Sequence, residues 1–336
     1  MRECFLKSIL MNQIPVPFEE IDQAKERIYK AQNILIISHQ SPDPDTIGAN
    51  LALRMQLEAI GKNVVSACAD QIPENCDFLE KSQSFVTDFN STDFDLIITV
   101  DISSHELLKF HITKPELLDR TKTFIINIDH HPTNNNFGNI NIVMPSAPAA
   151  CFILYLFFSY YGWSITPQIA TALLHGLYFD TGSFMHSNTS SASLRVAGRL
   201  IALGASHKTI VRRQFHTNTI PQLRVWGHAL SRASFNSKNA IVTAITKQDF
   251  QRENANPDDL SGLINYINCV PEASFCMLLA EDMKGNIKGS MRTLKENIDL
   301  SQIASLFGGG GHKKAAGFKV PGELKSKIAW EIIEPH

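Results

Sequence analysis

Three short β-branched runs each deliver the chain onto groups that can hold a cation. NILIIS leads into His39, LIITV (Leu96 to Val100) into Asp101, and Phe124 to Ile128 into Asp129, His130 and His131. A helical stretch from Ala49 to Ile60, stopped by Gly61, and a further strand-like run from Val64 to Cys68 lie between them. This alternation is the pattern of parallel βαβ units. In open α/β sheets ligands bind outside the carboxyl ends of the strands, so the three polar clusters are expected to converge on one crevice.

The pattern predicts an α/β protein: a parallel-sheet N-terminal domain with helices on both faces, followed by a smaller α/β C-terminal domain. Thr166 and Pro167 cap a helix running to about Leu177. Ser190 starts another, closed by Gly204, with Leu194, Ala197, Leu200 and Ile201 on one apolar face. From about Val225 the alternation starts again, with strands at Ala240–Thr246, Phe275–Ala280 and Asn286–Thr293 and helices near Asp259–Asn268 and Leu300–Phe307. A glycine run and a last helix to Ile333 follow. The expected division is a first domain over residues 1–212, a linker over 213–224 and a second domain over 225–336. A helix from Phe18 to Ala31 is expected to pack on the sheet or on a partner.

The 336 residues are 44% hydrophobic and 19% charged, enough apolar content for two ordinary cores. The six cysteines show no CxxC spacing and read as reduced structural thiols of a cytoplasmic protein. No signal-peptide pattern is evident, and the apolar run from Ala147 to Phe158 is too short to span a bilayer, so no membrane partner is expected. A formal net charge of -2 argues against a long basic track for DNA but leaves small anionic substrates open.

The segment His39-Gln-Ser-Pro-Asp-Pro-Asp45 carries an imidazole and two carboxylates, and its two prolines suggest an extended or turned loop. In an extended chain Asp43 and Asp45 would point in different directions and could serve different ions. Asp101 could bridge those ions, and His130 with Asp180, in YFDTGSF, would complete a second site. A pair of ions can generate hydroxide and stabilise the entering and leaving oxygens of a phosphoryl displacement. Oxygen-rich ligation with imidazole and no thiolate favours Mn2+, Mg2+ or Co2+ over a structural zinc site. Any one of these motifs is common by itself; their coincidence at three strand ends of one sheet carries the reading. His105, His175 and His186 read as caps, core or surface groups, with His186 the best candidate among them to face a substrate.

Later in the chain, Gly308 to Gly311 followed by His312, Lys313 and Lys314 would let backbone amides approach an anion, and Arg292 could add a bidentate phosphate contact.

In SHQSPDPDTIG, VDISS, NIDHHPTN, YFDTGSF and GGGGHKKAAGF, taken in that order, the chain resembles the DHH superfamily of phosphoesterases with a DHH-associated C-terminal domain. That group includes nano-RNases (oligoribonucleases), pAp phosphatases, linear and cyclic dinucleotide phosphodiesterases and the RecJ exonuclease core. The resemblance implies two divalent ions, one held by His39, Asp43 and Asp101 and one by Asp45, Asp101, His130 and Asp180. It implies that Asp129 orients a ligand imidazole, that His131 touches the scissile phosphate and helps protonate the leaving oxygen, and that Arg292, Gly309, Gly310, Gly311 and His312 bind substrate on a domain that closes over the crevice. The expected substrates are oligonucleotides of about two to five residues, or pAp. A cyclic di-AMP phosphodiesterase, a RecJ-like single-strand exonuclease and a catalytically silent nucleotide-binding protein remain alternatives, and a homodimer is open. Where many relatives carry an arginine after the second motif, this chain has His105 and Lys109. Where they carry polar residues after the DHH segment, it has Ala149-Ala150-Cys151-Phe152.

Overall fold

The computed structural model describes residues 14–119, 123–215 and 218–325. The chain divides into two compact units between His216 and Thr217.

The first unit opens with α1 (Phe18–Lys30), whose acidic first turn and basic last turn suit the helix dipole and whose Ile21, Ala24 and Ile28 are buried. It then follows β1 (Asn33–Ile37), α2 (Pro44–Ala59), β2 (Asn63–Ala67), β3 (Phe85–Val86), β4 (Leu96–Val100), β5 (Ile125–Asp129) and β6 (Ile140–Val143). These six strands form one sheet in the order β3-β2-β1-β4-β5-β6, with every pairing parallel. Four helices complete the unit: α3 (Ala150–Tyr161), α4 (Pro167–Asp180), α5 (Ser191–Ala202) and α6 (His207–Phe215).

Alternation along β1 sends Ile34 and Ile36 to one face and Leu35 and Ile37 to the other. The Ile34/Ile36 face packs on buried residues of α1 to α5. Each fully buried isoleucine there contributes about 1.5–3 kcal/mol of burial energy. The Leu35/Ile37 face is covered instead by single 3-10 turns at His105–Leu108, Phe110–Ile112 and Pro115–Leu118. Both faces therefore carry helical cover, but the α-helices lie on one of them.

The apolar run that is too short to span a bilayer is α3, with Phe152, Phe157 and Phe158 fully buried in protein. Among the described residues no helix is long and apolar enough to cross a membrane. In α5 the buried residues are Ala192, Ser193, Val196, Ala197 and Leu200. Leu194 and Ile201, expected on that face, are exposed.

The second unit begins with α7 (Ile220–Arg232), so residues 220–224, expected in a linker, open a helix capped by Thr219. It continues through β7 (Ser234–Phe235), β8 (Ile241–Ile245), α8 (Lys247–Glu253), α9 (Leu263–Ile267), β9 (Cys276–Glu281), β10 (Asn286–Arg292), α10 (Leu300–Ser305), β11 (Gly310–His312) and β12 (Ala315–Pro321). The sheet order is β11-β12-β10-β9-β8-β7, mixed, with β8 and β9 its parallel pair. A final helix was expected after the glycine run. Ala315–Pro321 is instead a strand, with Ala316 and Phe318 turned into the core against Met291 and Leu300. The rest of that expected helix falls beyond residue 325, outside the described residues.

Candidate metal centre

The end of β1 turns directly into α2. Asp43 is the N-cap of that helix, its Oδ1 accepting from the backbone N–H of Asp45 (2.9 Å) and Thr46 (3.1 Å), with Pro44 at the first helical position. Asp45 therefore sits in the first turn of a helix and not in an extended loop. The prolines that suggested extension are a helix-start signal, and Asp43 and Asp45 diverge because cap and first turn present different directions.

Asp45 is fully buried. Its Oδ2 accepts from Ala150 N–H (2.5 Å) and its Oδ1 from Cys151 N–H (3.0 Å), two unsatisfied donors at the start of α3. The non-polar segment from Ala149 thus meets the centre through its backbone, and needs no polar side chain to do so.

Asp101 is the first residue after β4 and is held at φ 61°, a left-handed conformation that costs a non-glycine residue on the order of 1 kcal/mol and that aspartate tolerates better than most. Its Oδ2 lies 3.5 Å from His39 Nε2 and its Oδ1 3.3 Å from His130 Nε2. Oδ1 is buried and makes no well-formed hydrogen bond. Asp180 is the last residue of α4, which runs three residues beyond the expected end near Leu177, and its Oδ2 is 3.2 Å from His130 Nε2.

Two groups of ligand atoms result, each within 4.8 Å of one another: His39, Asp43 and Asp101, and Asp45, His130 and Asp180. A third, overlapping group joins Asp101, Asp129, His130 and His131.

The electrostatics express a shortage of positive charge. Burial, then repulsion from Asp101 and Asp180, lifts the Asp43 carboxyl to about 6. The same two causes hold Asp45 well above the usual carboxylate range, and burial raises Asp180 as well. Burial also opposes charge on His39 and His130, yet their carboxylate neighbours prevail and push them up to about 9 and about 12. Asp101 is likewise opposed by burial, but His130 and His39 hold it below its ordinary range. Four carboxylates face two ligand imidazoles, and one buried carboxylate oxygen is left without a hydrogen bond. This oxygen- and nitrogen-only donor set fits hard divalent cations.

Asp129 is buried, and the imidazole it holds is that of His131. Its Oδ1 accepts from His131 Nδ1 (2.8 Å), while its Oδ2 lies 2.6 Å from Asn134 Nδ2. Asn134 is itself 2.8 Å from Asn127 Oδ1, and Asn127 donates to Thr99 Oγ1 and to the Ile102 carbonyl. This polar network holds His131 through Nδ1 and, among the described residues, leaves Nε2 without a hydrogen bond; Asn134, Asn127 and Thr99 carry no role in the sequence reading. Their signal is an asparagine in the middle of an isoleucine-rich strand.

Two glycines bring α2 and α4 together. A Cβ on Gly176 would lie 2.5 Å from Asp45 Oδ1 and 2.4 Å from Cys151 Sγ, and one on Gly48 would lie 2.4 Å from the Ala172 carbonyl. Without this approach Asp45 and Asp180 could not share His130.

Of the other histidines, His175 is buried beside Cys76 Sγ (3.7 Å), and burial lowers it to about 4, as suits a neutral core residue. His105 lies 3.2 Å from Glu106 at the surface. His186 is exposed, with Nδ1 3.3 Å from the Asp180 carbonyl, and Asn188 reaches the same oxygen at 3.2 Å.

In the second unit Arg292 ends β10. Register pairs Arg292 with Ala315 and Ala315 with His312, so the three form one row across the sheet. The His312 side chain lies outside the described part. Arg292 is half-buried, and burial lowers its pKa with no carboxylate opposing the shift. It lines a cavity of about 520 Å³ with Lys288, Lys319, Ser261 and Ser290 and with the acidic residues Asp258, Glu281 and Asp282. Gly308 and Gly309 turn the chain out of α10, and Gly310 and Gly311 open the short edge strand β11. A Cβ at Gly309 would strike the Gly317 carbonyl at 2.2 Å and one at Gly311 the Ala315 carbonyl at 2.6 Å, whereas one at Gly310 would meet nothing. Packing thus demands two of these glycines and leaves Gly310 free of that demand.

Residues 33–177 match the DHH family, N-terminal domain, and residues 237–334 match the DHHA1 domain. The chain is 32% identical over 290 residues to the bifunctional oligoribonuclease and PAP phosphatase NrnA of Thermus thermophilus, covering 86% of this chain and 84% of that one. It is 23% identical over 297 residues to the protein of the same name in Bacillus subtilis, covering 85% and 89%. An exopolyphosphatase-related protein from Bacteroides fragilis superposes with a TM-score of 0.81 at 23% identity, covering 93% of each chain, and so shares the fold. Fold, site and relatives together define a phosphoester hydrolase. The chain belongs to the DHH family and carries a DHHA1 domain as its second unit.

Proposed function

We propose that the protein hydrolyses short oligoribonucleotides and pAp with the help of two divalent cations, Mn2+ by preference, using the cluster around Asp101. The observation that supports this best is the direction of the two Asp101 oxygens, one toward His39 and one toward His130. In this reading His39, Asp43 and Asp101 hold one ion, and Asp45, Asp101, His130 and Asp180 hold the other. When bound, the ions would supply water activation and charge neutralisation at the phosphoryl oxygens.

The chain's own groups do the rest. Asp129 fixes His131 through Nδ1 and raises its pKa, favouring a protonated ring whose free Nε2 can donate to a phosphoryl oxygen or to the departing hydroxyl. The strained Asp101 backbone and the α3 amides on Asp45 hold the carboxylates in place before substrate arrives. Arg292, half-buried at the end of β10, offers a fork for a substrate phosphate, and Gly310 leaves room beside that row for backbone approach. The names borne by the Thermus and Bacillus relatives favour oligoribonucleotides and pAp over other phosphate esters.

The test is side-by-side hydrolysis of pAp, pApA, cyclic di-AMP and a long single-stranded DNA with Mn2+, for wild type and Asp101→Ala. Cleavage of pAp and pApA that disappears in the variant is expected. Preference for the cyclic or the long substrate, or no Mn2+-dependent cleavage, would overturn the reading.

A further inference from the structure

Outside the metal cluster, one surface ion pair ties together the loops that follow three adjacent strands. Asp70 follows β2, and its Oδ2 accepts the backbone N–H of Ser41 at 2.8 Å. Lys109, in the segment after β4, reaches the same carboxylate at 2.8 Å and 3.1 Å. Ser41 stands midway between His39 and Asp43 at φ 51°, and Lys109 stands at φ 59°. Gln40, next to Ser41, donates its N–H to the Leu107 carbonyl at 2.9 Å, and the His39 ring nitrogen Nδ1 lies 2.7 Å from the Gln40 carbonyl. The carboxylate of Asp70 thus meets the loop that carries His39 and Asp43 and the segment that leaves Asp101.

Stability is a poor reason for this pair. Both partners are well exposed, with side chains 32% and 44% accessible, and exposed ion pairs are worth about 0.2–1 kcal/mol. Its position gives a better reason. Ser41 and Lys109 both hold a left-handed backbone that non-glycine residues avoid, and Asp70 bonds to both of them. Among the described residues no hydrogen bond or ion pair of Asp70 or Lys109 reaches Asp45, His130 or Asp180. Those ligands are supported separately, by the α3 amides and by the approach of α2 and α4 at Gly48 and Gly176.

We infer that Asp70 and Lys109 are positioning residues that set the loop carrying His39 and Asp43 and leave the Asp45–His130–Asp180 cluster and the shared Asp101 to their own supports. The inference rests on the two-cation reading above. Outer groups that orient metal ligands change affinity by about 10- to 100-fold when removed, far more than so exposed a pair changes stability.

The experiment is Mn2+ binding to the full chain, by calorimetry and by the EPR signal of free Mn2+, for wild type, Asp70→Ala, Lys109→Met and Lys109→Arg. Wild type is expected to bind two ions. Asp70→Ala and Lys109→Met should weaken one of the two steps about 10-fold and leave the other unchanged, Lys109→Arg should restore wild-type binding, and the metal-free melting temperatures should stay close together. Equal binding of both ions by all four proteins, or equal weakening of both steps, would overturn the inference. Lys109→Met carries the test if Asp70→Ala does not fold. Failure of wild type to bind two ions would instead remove the two-cation reading on which the inference rests.

Discussion

Asp101 and His130 meet at 3.3 Å through Oδ1, while the other Asp101 oxygen lies 3.5 Å from His39, so one carboxylate faces both halves of the cluster. The left-handed backbone at Asp101 makes this possible at the very end of β4.

Gly176→Ala should injure the centre from outside it. The new methyl would press on Asp45 Oδ1 and Cys151 Sγ, an overpacking that costs about 1–3 kcal/mol, and it would shift Asp45 against His130. Thermal unfolding should show the loss. The double variant Gly176→Ala/Cys151→Ala should recover part of the stability, because the closest of the three clashes is with the sulfur.

Asp43→Asn should stabilise the metal-free protein at neutral pH while abolishing turnover. The Asp43 carboxyl is lifted to about 6, so the folded state holds its proton more tightly than the unfolded chain does. The penalty is absent below the unfolded carboxylate value and complete above about 6. With a third of the side chain exposed, solvent screening leaves roughly 1–2 kcal/mol. Melting curves of metal-free wild type and variant should coincide near pH 4 and separate above pH 6, with the variant higher.

His175 gives an opposite acid-side signature. Burial lowers it to about 4, below the unfolded histidine value of about 6.5, so its contribution is full above 6.5 and is lost as pH falls toward 4. The shift corresponds to about 3 kcal/mol as an upper figure. Denaturant titrations of wild type and His175→Gln should show the steeper fall from pH 6.5 to pH 4 in wild type.

Asp129→Asn should lower the pKa of His131, because the Asp129 carboxylate is the leading cause that raises it. A limb of the pH–rate profile that reports protonated His131 should then move to lower pH, with turnover down about 10- to 100-fold. Unchanged limbs would remove His131 from proton transfer.

Arg292→Ala should raise KM for pAp and pApA by about 10- to 100-fold, the loss of one charged hydrogen-bonded contact, with a smaller effect on kcat. Steady-state kinetics separate the two.

The strand ends that carry the centre were readable in the sequence because β-branched runs and the residues after them are local signals. His39, Asp101 and His130 lie where those runs stop. The Asp43–Asp45 segment was misjudged because proline serves both extended loops and helix starts, and only the buried partners of α2 decide between them. A last helix is expected to follow the glycine run, yet the segment directly after it, Ala315–Pro321, pairs with β10 as a strand, and that pairing leaves no local signal. The Asn134–Asn127–Thr99 support and the tight spaces at Gly48 and Gly176 depend on contacts between distant segments, which no local pattern records.

The most direct test of the shared carboxylate is an equilibrium Mn2+ titration of wild type and Asp101→Asn. Wild type should take up two ions per chain, and the variant, which keeps the volume and the left-handed backbone preference of that position, should lose affinity in both steps by at least about 10-fold. Two ions bound by the variant with wild-type affinities, or one weakened step beside an unchanged one, would contradict an Asp101 that serves both halves of the centre.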